Sequence, residues 1–380
     1  MRRAVVFGLL HAGLAVTRSL GRIGVPVSGI SWSSHEFGLK SRYLERHRVV
    51  TPGNDDPVLD ALRAEAADDR IVLFPERDEH VEFVLRHWDE VTAIADLPLP
   101  ADPEAVRRLR RKDVLPQVAA AAGVLSPGTV LADGDASVQD SGLRPPFVVK
   151  AVEGQEYALA FGHKAVVAET VDEAMSAVRG AQERGFHMIV QELVPESHEH
   201  VYSLLAYIDR SGRPLVTLVG RKVRQGPLRF GTSAVFEVDY EPRVLELGLR
   251  LLETAGYTGT AHVEFARDPR DGEFRVLEVN TRLPVWAALA ANRHLDLPRM
   301  AYHDLIGHDV APLPTFTDNL TWIYLAKDVW VSLQMARRRE LGPRGFASSY
   351  LTARKIRATF AKDDPWPAVA SLNYLRSRAP

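Results

Sequence analysis

The pattern of apolar and polar positions changes period several times along the chain. Ala4-Val5-Val6-Phe7, ended by Gly8, is followed by Leu14, Thr17, Leu20 and Ile23 at helical spacing, then by Val25-Pro26-Val27-Ser28-Gly29-Ile30. This predicts strand, helix, strand. Ile71-Val72-Leu73-Phe74 predicts a further strand, and Val81, Val84 and Leu85 place a helix within 76–88. Residues 1–97 are therefore expected to form a parallel-sheet α/β unit. The proline-rich stretch Asp96 to Pro103 reads as a hinge. Asp102 and Pro103 then start a helix running through Arg107 to Arg111, and a second helix from Asp113 ends at Gly123. Strands follow around 147–149, 165–167 and 188–190, with a helix over 172–184.

From Val201 the strands lengthen. Val201 to Ile208 and Leu215 to Val219 are joined by Asp209-Arg210-Ser211-Gly212, which predicts an antiparallel pair. A helix over 242–255, a hairpin of 260–267 with 273–280, and helices near 285–291 and 299–306 complete this region. The tail from Asp309 to Pro380 holds eleven Lys or Arg against six Asp or Glu. Its expected form is a set of amphipathic helices packed back on the rest. The fold class is thus α/β and α+β, a parallel-sheet domain followed by a region of antiparallel sheets and a helical C-terminal extension; the resemblance described below implies that the middle region is two-lobed.

Composition narrows the function. At 380 residues the chain is long enough for two or three packed units. Hydrophobic residues at 46% and charged residues at 25% are ordinary globular proportions. A formal charge of -2 supplies no global field for nucleic acid or an anionic membrane, so any anion site must be local. The absence of cysteine removes disulfides, thiolate metal sites and cysteine nucleophiles, and fits a reducing compartment. No apolar stretch is long enough to span a bilayer, so a cytoplasmic location is expected.

The richest chemistry lies in Thr260-Ala261-His262-Val263-Glu264-Phe265-Ala266 and Phe274-Arg275-Val276-Leu277-Glu278-Val279-Asn280. If the turn centres near Asp271, Glu264 faces Glu278, and alternation puts Asn280 on the same side. Facing carboxylates destabilise a sheet unless a cation compensates. Two carboxylates and an amide oxygen are hard ligands of the kind magnesium takes alongside phosphates. Glu264, Glu278 and Asn280 are therefore candidate metal ligands, and Arg282 adds a cation just beyond the strand.

The ordered series Lys112, Lys150, Gln191-Glu192-Leu193-Val194, Glu264 and Glu278-Val279-Asn280-Thr281-Arg282 resembles the ATP-grasp superfamily. Within it, Gly220-Arg221-Lys222-Val223-Arg224-Gln225 and Leu14 to Leu20 are similar to the carboxylate-amine ligase branch that includes D-aspartate ligases. The resemblance covers roughly 4–307. It implies a pre-ATP-grasp domain at 1–97, a small lobe at 98–193, a large lobe with the metal site at 194–308, and an extension at 309–380.

It further implies that Lys112 and Lys150 contact nucleotide phosphates. Gln191, Glu192, Leu193 and Val194 would line the adenine side, and Glu199 the ribose. Lys222 and Arg224, alternating on a strand and so expected to share a face, would sit with Arg282 near the γ-phosphate or the substrate carboxylate. Glu76, Arg77 and Asp78 would shape the acceptor side. The implied cofactors are ATP and magnesium, or manganese in its place. The implied partners are a small carboxylate and an amine, amino acids or peptides first, with a homodimer as the default assembly. One departure stands out: where relatives in the D-alanine ligase branch carry a glycine- and serine-rich lid, Ala151 to Tyr157 has one glycine and two acids. The expected activity is amide formation through an acyl phosphate, with a non-catalytic or regulatory ATP-binding module of the same fold as the alternative.

Overall fold

The computed structural model describes residues 1–132, 138–152, 154–195, 200–292, 294–351 and 354–376. The chain opens with strands β1 (Ala4–Phe7), β2 (Val27–Ser31), β3 (Arg46–Val49), β4 (Ile71–Pro75) and β5 (Ala95–Asp96), all parallel in the order β3-β2-β1-β4-β5. Helices α1 (His11–Arg22), α2 (Asp56–Glu65), α3 (Asp78–Arg86) and α4 (Trp88–Ile94) connect them. β1, β2 and β4 are buried throughout, as strands covered on both faces must be.

The strand order reverses at β1, so a crevice opens beyond the ends of β1 and β4. There Gly8 turns at φ +93°, and a Cβ at that position would stand 2.3 Å from His80 Cε1. Glu36 accepts from Leu9 N at 2.6 Å, while Glu76 accepts from Leu10 N at 2.8 Å and from Ala12 N at 3.0 Å. The amides that a phosphate would use at the start of α1 are taken by the chain's own carboxylates.

Helix α5 (Pro103–Arg110), with Asp102 accepting from Glu104 N, and α6 (Leu115–Ala121) lead into the small lobe. Its strands β6 (Thr129–Leu131), β7 (Phe147–Ala151), β8 (Ala165–Ala168) and β9 (Met188–Glu192) pair antiparallel in the order β6-β9-β7-β8. Helices α7 (Gly154–Phe161) and α8 (Val171–Gln182) belong to the same lobe. Phe147, Val149, Tyr157, Met175 and Val190 form a core of their own.

The large sheet contains β10 (Val201–Ile208), β11 (Pro214–Gly226), β12 (Thr232–Val238), β13 (Gly259–Arg267) and β14 (Phe274–Asn280), with α9 (Pro242–Thr254) between β12 and β13. Helix α10 (Leu297–Leu305) follows. Beyond it come β15 (Leu320–Ile323), α11 (Leu325–Arg337), α12 (Pro343–Leu351), β16 (Arg354–Arg357) and α13 (Trp366–Arg376). The strand order is β14-β13-β10-β11-β12-β15-β16. The tail is therefore helical only in part, because β15 pairs with β12 and extends the sheet.

The helix expected near 285–291 is a run of turns. Bonds such as Ala287 N to Pro284 O and Leu289 N to Trp286 O close over three residues, and Trp286 stacks on Phe236 with ring centroids 3.9 Å apart. Two cores join the first sheet to the large one: Phe7 and Leu73 share one with Phe265 and Val279, and Val6 and Phe74 share the other with Phe236 and Trp286.

Candidate active site

Register places Glu264 of β13 opposite Glu278 of β14 and His262 opposite Asn280, with an irregularity just after Glu264. Lys222, on β11, reaches Glu264 Oε2 with its Nζ at 2.8 Å. Between those strands lies β10, whose Ser203 is paired with Gly220 on one side and Glu264 on the other. Burial pushes Glu278 up, yet Lys222, the Asn280 amide, Lys164 and Lys150 outweigh it and hold this carboxyl at about 2. Burial and the facing Glu278 push Glu264 up against the pull of Lys222. His262 is held neutral, brought down to about 3 by burial and then by Lys222.

Lys150, at the end of β7, donates to Gln191 Oε1 at 2.9 Å. Burial pulls its pKa down to about 8, against Glu278 and with the repulsion of Lys112. Lys112, between α5 and α6, donates to the carbonyls of Ala151 and Val152, each at 3.1 Å. It therefore stands at the start of α7, where a Cβ on Gly154 would come within 2.9 Å of its Nζ. The segment 151–157, where the sequence departs from the expected glycine-rich lid, is thus partly a helix, with Tyr157 stacked on Phe161; Glu153 lies outside the described residues.

The linker after β9 has two groups already engaged. Leu193 N donates to Pro146 O at 2.9 Å, and the Glu192 carboxylate accepts from Arg144 N at 2.9 Å. Val194 is buried beside them. Glu199, the expected ribose partner, lies outside the described residues with Glu196 and His198.

Arg282 donates to Asp78 Oδ2 at 2.5 Å and lies 3.4 Å from Asn280 Oδ1. Asp78 also accepts from Arg110, and although burial opposes it, Arg282 and Arg110 hold its carboxyl well below the usual range. The expectation that Lys222 and Arg224 work side by side needs correction. The β11–β12 ladder shifts register between them, and Arg224 is bound through Nε at 2.5 Å and Nη2 at 2.9 Å by buried Asp328 of the tail. A buried carboxylate requires such a cation.

Sequence reasoning did not single out His262, His11, Tyr324 or Lys327. His262 was visible in principle, since it alternates with Glu264 on one strand face. The other three become neighbours only through β15.

Among the described residues, no three His, Cys, Asp or Glu side chains gather around one point. The two glutamates do fit a hard divalent ion, because buried Glu264 and half-buried Glu278 face each other and no soft donor stands among the residues expected to hold it. Asn280 Nδ2 donates to Glu278 Oε1 at 3.1 Å, so a half-turn of its amide would present oxygen instead.

The profile described as carbamoyl-phosphate synthase L chain, ATP binding domain, matches residues 233–294. A D-aspartate ligase of Enterococcus faecium (strain Aus0004) is 26% identical over 186 residues, 47% of this chain and 44% of that protein. The chain thus matches less than half the length of this curated relative. The biotin carboxylase domain of Hydrogenobacter thermophilus 2-oxoglutarate carboxylase, solved with MgADP and bicarbonate, superposes with TM-score 0.66 at 14% identity over 82% of this chain and 71% of that one. An L-amino acid ligase from Bacillus licheniformis superposes with TM-score 0.60 at 16% identity over 80% and 74%. The shared fold of these solved structures and the similarity to a D-aspartate ligase agree with the resemblance to the ATP-grasp superfamily carried by the motif series.

Proposed function

We propose that the protein is an ATP-dependent, magnesium-dependent carboxylate-amine ligase that releases ADP. The observation that carries this reading is the opposed pair of buried Glu264 and half-buried Glu278, acted on by the charges of Lys150, Lys164 and Lys222. Two facing carboxylates among several cations form a costly arrangement on a sheet, and a metal-nucleotide complex balances both signs at once. The relationship to a D-aspartate ligase and the likeness to an L-amino acid ligase support amino acids or peptides as substrates.

In this mechanism a substrate carboxylate oxygen attacks the γ-phosphorus of ATP, the bond to the β–γ bridging oxygen breaks, and ADP leaves. The amine then attacks the acyl carbon of the acyl phosphate, phosphate departs, and the ammonium nitrogen loses its proton to solvent. Glu264, Glu278 and Asn280 would hold magnesium, which supplies charge neutralisation for the phosphates. Lys112 and Lys150 would bind nucleotide phosphates, Gln191 would orient Lys150, and Glu192, Leu193, Val194 and Glu199 would line the nucleoside. Lys222 and Arg282 would stabilise the charge that builds on the transferring group. Arg224 would fix the strand carrying Lys222 by gripping Asp328.

Phosphate release across a panel of carboxylates and amines, with Glu278→Gln as the inactive control, tests this function. Release that requires both substrates and disappears in the variant is expected, and undiminished release in the variant would refute the assignment. A regulatory ATP-binding module is the second reading, favoured by the helix α7 at the lid position. MgATP binding with no turnover across the whole panel would select it.

A further inference from the structure

His11 begins α1, in the turn after β1. Its ring lies 4.5 Å from that of Tyr324, 4.9 Å from Phe37 and 5.9 Å from Trp322. Three elements build this box: the first β–α turn, the short helix at Phe37, and β15 with the residue after it. Trp322 is brought there because it pairs with Phe236 across β12 and β15, and Tyr324 because its N–H continues that ladder to Ala234 O at 2.9 Å.

The walls are aromatic, yet their polar atoms are unspent. His11 Nδ1, Tyr324 Oη and Trp322 Nε1 are all buried without a hydrogen-bond partner among the described residues. Buried polar groups are nearly always paired, so three in one cluster call for an occupant. One turn into α11, Lys327 donates to Thr232 O at 2.8 Å and also to its Oγ1. Among the described residues no carboxylate lies within ion-pair reach of it. Lys327 repels His11 and is itself repelled by Lys164 and Lys222, so the box adjoins the cation ring of the active site.

The donor set decides the occupant. A phenol hydroxyl, an indole N–H and a nearby ammonium all donate, and a neutral imidazole can donate from one nitrogen. Positive potential from three lysines disfavours an ammonium group against these rings despite their π faces. A flat anion with several acceptor lone pairs suits them all.

We propose that His11, Tyr324, Trp322 and Lys327 form a binding pocket for a carboxylate group of one of the ligase substrates, so that the C-terminal segment completes the substrate site. The inference rests on the ligase reading for the identity of the occupant, but the pocket itself can be tested without turnover.

The test uses the full chain and succinate and N-acetylglycine as probes, titrated by calorimetry in the presence of saturating MgADP. Saturable binding of a probe is expected in the unaltered protein, weakened at least tenfold by Tyr324→Phe and by Lys327→Met, with MgADP affinity held within twofold in both. In parallel, the imidazole resonances of His11 should move on probe addition to the unaltered protein, a readout that needs no variant. Absence of probe binding, or binding that both variants and the His11 resonances ignore, would overturn the pocket. Failure of MgADP to bind would instead count against the ligase reading, with probe binding to the nucleotide-free protein still deciding the pocket.

Discussion

Lys222 Nζ sits 2.8 Å from Glu264 Oε2, one of the two carboxylates expected to draw a divalent ion. The ammonium thus acts as an internal counterion for the candidate metal site. Removing it should tighten metal binding while harming chemistry. Lys222→Met is expected to bind manganese more tightly than the unaltered protein when no nucleotide is present, by titration against electron spin resonance. Its phosphate release should fall by about 100-fold, the scale seen when one preorganised charge is lost. Weaker metal binding would show that Lys222 does not compete for the site.

Chelation provides a complementary prediction. Dialysis against EDTA should abolish phosphate release, and adding magnesium should restore it. Glu264→Gln should raise the magnesium concentration needed for half-maximal rate. An EDTA-treated protein that keeps its full rate would remove the metal from the mechanism.

Lys150 gives a pH dependence with a definite sign. Its pKa is lowered to about 8, chiefly by burial, so in the free protein the ammonium is progressively lost as pH rises past that value. Bound phosphates favour the charged form and raise the pKa again. Nucleotide affinity should therefore fall as pH rises through about 8, and binding near that pH should take up protons. Calorimetry in buffers of different ionisation enthalpy reads the uptake. Lys150→Met should reduce it, and an unchanged uptake in that variant would place the proton elsewhere.

Asp364 anchors the tail. It is fully buried, accepting from Arg18 Nε at 2.9 Å, Ser41 Oγ at 2.7 Å and Arg42 N at 2.9 Å. Asp364→Ala leaves Arg18 buried without its counterion and should cost about 3–5 kcal/mol in stability by urea denaturation. A loss below about 1 kcal/mol, typical of exposed pairs, would mean that water replaces the carboxylate.

The acidic hairpin and the start of α5 were legible because their signals are local. The alternation around Asp271 placed Glu264 opposite Glu278, and the structure has that register. Asp102 and Pro103 marked the start of α5 through a cap that depends on neighbouring residues alone. What stayed hidden depends on distant pairings. Lys222 and Arg224 look equivalent on an ideal strand, but a ladder irregularity and the buried Asp328 more than a hundred positions later commit them to different partners. His11 and Tyr324 likewise carry no sign of each other, since only the docking of β15 onto β12 brings them together. The run of turns at 285–291 carries an apolar spacing that imitates a helix, and there Trp286 stacks on Phe236 of the large sheet, a pairing the spacing does not signal.

The tail grips two places at once, Arg18 of the first unit through Asp364 and Arg224 of the large sheet through Asp328. The two outer units also share their cores, while the small lobe keeps a separate one. A molecule fastened in this way has a braced base and one jaw that packs on a core of its own. In the proposed ligase, a closing stroke over a nucleotide would fall to the four-stranded lobe carrying Lys150, and shortening the C-terminal segment would loosen the base beneath that jaw.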